Sequence, residues 1–472
     1  LSALFDHQRT YLEKYAQRGG HALFWEQGTG KTRAALENAR ILREAGAVGG
    51  VLLVAPNGVH RQWVEQEGPE HTPDLGQPWF LYETSKAGGK KYRAELRKAV
   101  MGEFPFLAMS YDAFMTKEGR KWAQLMLERR ALWILDESTS IKSPGAKRTR
   151  AIVAAAPKAA YRRILTGTPV TNRPFDVYAQ VKFLDPTFWS SQGFESYTAF
   201  KNYFGLWGRG FNSQQGREFP QLRGFRHIDE LRELLAQVGH RVLKDDVLDL
   251  PPKLYARRFF EMSTDQARAY RELRDETVAV LDGKVVEADL AMVRLLRLQQ
   301  VTCGYLPVEG GWHTFLGKNA RLQCFLQLAE EVGHQAIVWC RFQRDVDLVY
   351  RALETEGYTA VKYDGTVPDP LRARAKTAFL QGDAQWFVSN PAAAGFGHTF
   401  VNARTVVYYS NSFDLEERIQ SEDRAHRAGQ THKVEYIDIV APGTVDEHIL
   451  RSLRGKFNIA AGVTGDVLRS WL

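Results

Sequence analysis

Residues 21–32 read HALFWEQGTGKT and run into RAALENARILREA, so an apolar strand meets a glycine turn and then an amphipathic helix. This order constrains the fold more than any other stretch of the chain. An apolar strand that passes through a tight turn into a covering helix belongs to a parallel sheet, because parallel strands need long crossovers and lie buried on both faces. Gly28 and Gly30 free the backbone to curl, so successive N–H groups can face an anion at the helix N-terminus, where the peptide dipoles favour negative charge. In that arrangement Gly28, Thr29 and Gly30 cradle the phosphates of ATP, Lys31 neutralises the outer ones, and Thr32 holds Mg²⁺ through its hydroxyl. The plainer alternative is an ordinary glycine turn.

Short apolar runs alternate with helical patterns in two zones, which predicts an α/β protein with two parallel-sheet units. The first zone places strands at residues 21–25, 50–56, 104–110, 131–137 and 161–168, and the second at 335–340, 359–365, 385–390, 405–410 and 434–440. Three domains follow: an ATP-binding unit over 1–224, a helical insertion or linker over 225–310, and a second α/β unit over 311–472. Within the first, residues 207–225 (WGRGFNSQQGREFPQLRGF) are rich in Gly, Arg, Gln and aromatics without apolar periodicity and read as a loop or connector.

Composition narrows the function classes. With 44% hydrophobic and 25% charged residues over 472 positions the chain is globular rather than disordered. Its 63 Lys and Arg against 55 Asp and Glu leave a net charge of +8, which suits a polyanionic partner and is also common among soluble enzymes. Cys303, Cys324 and Cys340 have the spacing of neither a disulfide framework nor a zinc site. No apolar run reaches the roughly eighteen residues of a membrane helix. No membrane partner is therefore expected, and a cytoplasmic location is.

A phosphate loop needs an acidic strand end to complete a metal site and orient water. ALWILDE supplies one, with Asp136 placed to position Mg²⁺ and Glu137 to polarise the attacking water. An Asp-Glu pair after a strand is alternatively the N-cap of the next helix. LTGTPVTN at 165–172 is a hydroxyl-rich turn that could sense the γ-phosphate. Near the other end, DRAHRAGQ sets Arg424 and Arg427 three residues apart, a spacing that puts both on one helix face, with Gly429 as the stop. Taken alone, such a pair is a solvated basic face.

The ordered set FDHQ, EQGTGKT, VAPNGVHRQWVEQ, MSYDAF, DESTSIKSPGAKRTRA, LTGTPVTNRPFDVYAQVKFLDP, YDGT and QSEDRAHRAGQTHKVEYIDIVAPGTVDEHIL resembles the Swi/Snf family of helicase superfamily two, in a small bacterial or phage form. The resemblance runs from Phe5 to about Leu450. It implies two RecA-like lobes flanked by helices, with ATP hydrolysed between them and Arg424 and Arg427 as arginine fingers. It implies that Gln8 reads the adenine edge. It implies double-stranded DNA as partner, forked or branched DNA included, bound through His60, Ser110, Tyr111, Lys142, Lys147, Arg148, Arg341, Thr366, Gly395 and Thr399. Such contacts would fall on phosphates and sugars, and the competing reading of IKSPGAKRTR is a solvated charged loop. A monomer in a bacterial or phage-infected cell is expected; protein partners are unspecified.

Two departures stand out. Trp25 occupies the place of the first glycine of the common phosphate loop, and Ser138-Thr139 stand where a small residue and a His are more frequent. In the family that His helps link the ATP state to the hydroxyl-rich turn. The resulting functions are a duplex translocase that leaves strands paired, a strand-separating DNA or RNA helicase, or an ATP-gated DNA-binding module without coupled hydrolysis.

Overall fold

The apolar runs fold as strands, and all ten of those predicted are present. The computed structural model describes residues 4–75, 79–212, 217–281, 288–315, 319–393 and 399–466. In chain order the strands are β1 (Gly20–Trp25), β2 (Val51–Ala55), β3 (Trp79–Leu81), β4 (Phe106–Ser110), β5 (Leu132–Asp136), β6 (Tyr161–Leu165), β7 (Gly205–Asn212), β8 (Arg217–Phe225) and β9 (Gly239–Val242). There follow β10 (Lys253–Phe259), β11 (Tyr305–Val308), β12 (Gly311–Thr314), β13 (Ala336–Trp339), β14 (Ala360–Tyr363), β15 (Trp386–Ser389), β16 (Thr405–Tyr408) and β17 (Val434–Val440).

The first sheet has the order β3-β4-β2-β5-β6-β1-β9 and the second β10-β17-β16-β13-β15-β14. Every neighbouring pair in both is parallel. β2, β5, β13, β15 and β16 are buried along their whole length, which is why each reads as a continuous apolar run. The P-loop strand β1 lies between β6 and β9, and its C-terminal end feeds the loop into helix Lys31–Glu44. Gly20 opens it under a close approach: a Cβ there would stand 2.2 Å from the Leu184 carbonyl oxygen.

Three strands of the two parallel sheets escape the sequence reading, each at a sheet edge. β3 is three half-buried residues, β9 is the polar GHRV, and β10 is the charged, largely exposed KLYARRF. An edge strand has one free flank and need not be apolar, so hydropathy does not mark it. The expected loop at 207–225 is instead the antiparallel hairpin β7-β8. Its alternation is hidden by glycines: Phe219 packs where Gly210 would carry a Cβ, 2.7 Å away, and Arg223 lies across Gly208.

Two compact units result. One is built from the chain up to Leu206, Gly224–Asp249 and the stretch beginning at Asn458; the other from Trp207–Arg223 and Leu250–Phe457. Residues 225–310 therefore divide between the two. The segment to Asp249 supplies helix Ile228–Val238 and β9 to the first unit, whereas β10 and helices Thr264–Leu281 and Ala288–Thr302 serve the second. In the first unit the late stretch is tied down by Asp466, whose carboxylate meets Arg241 of β9 at 2.6 and 3.0 Å. Among the described residues no helix is long and apolar enough to cross a membrane.

Candidate nucleotide site

Within the first unit the loop after β1 is shaped by two left-handed glycines, Gly28 at φ 85° and Gly30 at φ 84°. Lys31 begins the helix and is parked on the strand it follows: its Nζ donates to the carbonyls of Trp25 and Glu26 at 2.9 and 3.2 Å. The Thr29 hydroxyl donates to the Glu26 carbonyl at 2.8 Å, closing the loop on itself. Thr32 sits half-buried in the first turn of the helix. Trp25, at the place of the family's first glycine, is fully buried, with its Nε1–H 3.1 Å from His240 Nδ1. Its indole meets the rings of His7, Tyr11 and His240 edge to face.

The N-terminal helix Asp6–Tyr15 braces the loop. Gln8 is buried, its amide donating to the Gly30 carbonyl at 3.0 Å while its Oε1 accepts the Phe5 N–H at 2.9 Å. His7, which sequence reading passed over, donates Nε2–H to the Thr29 carbonyl at 2.8 Å and stacks on Phe5. No signal in a single sequence marks it apart from its place beside Gln8. Arg163 on β6, wholly buried, fixes the far end of the same helix by donating to the carbonyls of Tyr15 and Ala16. Such a cation at a helix C-terminus answers both the unpaired carbonyls and the dipole.

At the end of β5 Asp136 is buried and doubly held. Its Oδ1 accepts the Glu137 N–H at 3.0 Å and its Oδ2 the indole N–H of Trp63 at 2.8 Å. Burial pushes its pKa above the usual carboxylate range, opposed by the Trp63 hydrogen bond and the charge of Lys31. A buried carboxylate in that condition is stabilised by a bound cation, so the donor set fits Mg²⁺. Trp63, which is fully buried, thus serves the acidic site as a hydrogen-bond donor. It is delivered by a π-helical stretch, Trp63–Glu67, inside the helical run from Val59 to His71, and such wide turns recur at functional sites. Glu137 adopts φ 46°, a left-handed conformation costly for a side chain of its size, and its Oε1 lies 3.4 Å from Gln27 Nε2.

Of the residues expected to meet DNA, the first unit brings Ser110, Tyr111 and Arg148 together, the Arg148 guanidinium lying 5.7 Å from the centre of the Tyr111 ring. Ser110 caps helix Tyr111–Met115 by accepting the Ala113 N–H, and buried Tyr111 donates its hydroxyl to the Asp136 carbonyl at 2.9 Å. His60 is buried, with Nδ1 3.2 Å from the Pro56 carbonyl, and burial lowers its pKa. Lys142 donates to the Thr171 hydroxyl at 2.8 Å, Arg148 pairs with Asp112 at 2.5 Å, and Lys147 is exposed at the start of helix Lys147–Ala155. In the second unit Arg341 lies 3.7 Å from Glu417, and the Thr366 hydroxyl donates to Asp364 at 2.6 Å. Gly395 lies outside the described residues.

Arg424 and Arg427 do not share a helix. Helix Leu415–Glu422 ends before them, and both arginines occupy the turns that follow, with Gly429 at φ 96°. Contacts within the unit stop the helix: Lys253 binds Glu422 at 3.0 Å and Asp423 at 3.3 Å, and His426 Nε2 donates to the Pro251 carbonyl at 2.7 Å. Arg424 is buried; Arg427 donates to the Asp423 carbonyl at 2.9 Å and to the Thr399 hydroxyl at 3.1 Å. Just before the turns, Arg418 joins Glu422 and Asp438 in a buried ionic cluster with contacts of 2.8 and 2.6 Å.

Residues 9–304 match the model of the SNF2-related domain, and residues 317–429 that of the helicase conserved C-terminal domain. The chain belongs to the SNF2 family. Within this SNF2 chain, Lys31 and Asp136 fall in the first match and Arg424 and Arg427 in the second. It is 27% identical over 462 residues to the Probable ATP-dependent DNA helicase CHR12 of Arabidopsis thaliana, covering 93% of this chain and 39% of that protein. It is 25% identical over 457 residues to the mouse (Mus musculus) DNA annealing helicase and endonuclease ZRANB3, covering 94% and 38%. The SNF2 chain thus spans about two fifths of the length of these relatives. Among solved structures, the Sulfolobus solfataricus SWI2/SNF2 ATPase core in complex with dsDNA is 20% identical, with 98% of this chain and 94% of that chain covered at a TM-score of 0.43.

Proposed function

We propose that this SNF2-family chain is a DNA-dependent ATPase that moves along double-stranded DNA, forked or branched forms included, without separating the strands. The observation that carries the ATPase half is the pairing, in one unit, of a phosphate-type loop whose Lys31 rests on the Trp25 and Glu26 carbonyls with a buried Asp136 held by Trp63. Bound Mg·ATP would supply the phosphate anion and the cation that these groups accommodate. Lys31 would move from the carbonyls to the outer phosphates, Thr32 and Asp136 would hold Mg²⁺, and Glu137 would orient water. Arg424 and Arg427 would bring charge to the transferring phosphoryl group. Gln8 supports this reading as a strut of the loop, with adenine recognition an added role.

The DNA half rests on family membership, on relatives named for DNA transactions and on the basic balance of the chain. Sequence-independent contacts to phosphates give binding that weakens steeply with salt. The deciding experiment measures steady-state ATP hydrolysis with duplex DNA, single-stranded DNA or RNA across a salt series, followed by triplex and strand displacement. Duplex stimulation with release of a third strand alone supports translocation. Stimulation by single strands with duplex unwinding replaces it with a helicase, and nucleotide-dependent DNA affinity without turnover replaces it with a gated binding module.

A further inference from the structure

Ser138 stands next to Glu137, in the pair of positions where the family resemblance places a small residue and a His. It is fully buried, and its hydroxyl donates to Gln180 Oε1 at 2.7 Å. Gln180 is also fully buried, on helix Val177–Leu184, and its Nε2 donates to the carbonyls of Pro169 and Asp176, both at 2.8 Å. The amide has one orientation in which all three bonds form, since the oxygen must accept and the nitrogen must donate twice. Pro169 belongs to the hydroxyl-rich turn 165–172. The turn is gripped a second time by Asp176, whose Oδ2 accepts the N–H groups of Thr171 and Asn172 at 3.0 and 2.8 Å and the Thr171 hydroxyl at 3.1 Å. Thr171 in turn accepts from Lys142, which lies on the segment that follows Ser138.

We infer that Gln180 is a positioning residue: through Ser138 it couples the acidic end of β5 to the turn at 165–172, a link made without histidine. The chemistry of its surroundings carries the inference. Gln180 lies in the sequence VYAQVKFL, with Ala179 and Val181 on either side buried, where an apolar side chain would pack without any polar group to satisfy. A buried amide is stabilising only when its partners are met, and here two of the three, Ser138 and Pro169, lie on the two segments being joined, while the third is the Asp176 carbonyl one turn back on its own helical run. A shift of Glu137 and Ser138 upon nucleotide binding would reach Pro169 through two short hydrogen bonds, and Lys142 through Asp176 and Thr171. The inference rests on the ATPase reading of the same site.

The test compares wild type with Ser138→Ala and Gln180→Leu by hydrogen exchange of the 166–173 amides, with and without Mg·ATP. In wild type, nucleotide is expected to change protection of the turn. In Ser138→Ala, which removes one hydroxyl and leaves both Gln180 donor bonds, that response should vanish while ATP affinity is retained. Stimulation of hydrolysis by DNA should fall about tenfold in both variants, with unstimulated turnover unchanged. A wild-type turn that ignores nucleotide, a Ser138→Ala turn that still responds, or loss of ATP affinity in Ser138→Ala would each overturn the relay. Absence of hydrolysis in wild type with the exchange response intact would instead reject the motor reading and leave the relay standing.

Discussion

At the scale of single residues, the acidic site depends on an indole. Trp63→Phe keeps an aromatic ring and deletes the indole N–H that donates to Asp136 Oδ2, so the pKa of the carboxyl, already raised by burial, rises further. Asp136 must be ionised to hold a cation. The acid limb of the ATPase pH profile should therefore move to higher pH in Trp63→Phe, and apparent Mg²⁺ affinity should drop about 10–100-fold; an unmoved limb would show that the indole only packs. A second residue reports on stability. His21 on β1 is buried against Tyr15 and Tyr11, and burial first, then the charges of Arg163, Arg18 and His240, lower its pKa from 6.5 to about 3. The unfolded chain thus binds this proton before the folded one does. Stability from the neutral ring is complete above about pH 6.5 and is lost as pH falls toward 3. Denaturant melts from pH 7 to 4 should show a steep loss in wild type and a shallower one in His21→Phe. The placement of Lys31 at a helix start after a glycine turn and of Asp136 at a strand end was legible in sequence, because strand, turn and helix each restrict residue type and spacing. Trp63 and His7 were not, since their roles come from contacts made at a distance along the chain.

At the scale of elements, the P-loop turn is held by its conformation and by its neighbour together. Gly30 combines φ 84° with a space already filled, a Cβ there falling 2.3 Å from Gln8 Nε2. Gly30→Ala should unseat Gln8, open the loop and abolish nucleotide binding, measured by fluorescent ATP-analogue titration, while the far-UV spectrum stays that of wild type. Retained affinity would mean that the Gln8 strut is dispensable. Elements were legible where burial imposed one pattern, as in the ten apolar strands. They were illegible where packing was satisfied otherwise: β9 and β10 lie at sheet edges, and the β7-β8 hairpin lays Phe219 and Arg223 over glycines. The turns at Arg424 and Arg427 were misread as a helix because local spacing does not register Lys253 and Pro251, which reach the segment from more than 160 residues away.

At the scale of the whole molecule, the proposed function assigns ATP chemistry and DNA binding to different residues, so the two should separate on mutation. Lys31→Ala and Arg427→Ala should each abolish hydrolysis, seen in a phosphate-release assay, while duplex affinity in a salt titration keeps most of its strength and its slope. Equal loss of both would show that these residues hold the fold or the DNA rather than the nucleotide. Both parallel sheets include neighbours drawn from distant parts of the sequence, β1 with β6 and β9 and β10 with β17, and the first unit carries this furthest. Arg241 donates to the carbonyls of Phe24 and Gly167, next to the P-loop strand, and its carboxylate partner is Asp466. The consequence concerns biosynthesis. A ribosome will have made the P-loop more than four hundred residues before it makes Asp466, so the nascent N-terminal unit must wait, incompletely locked, until that residue has emerged.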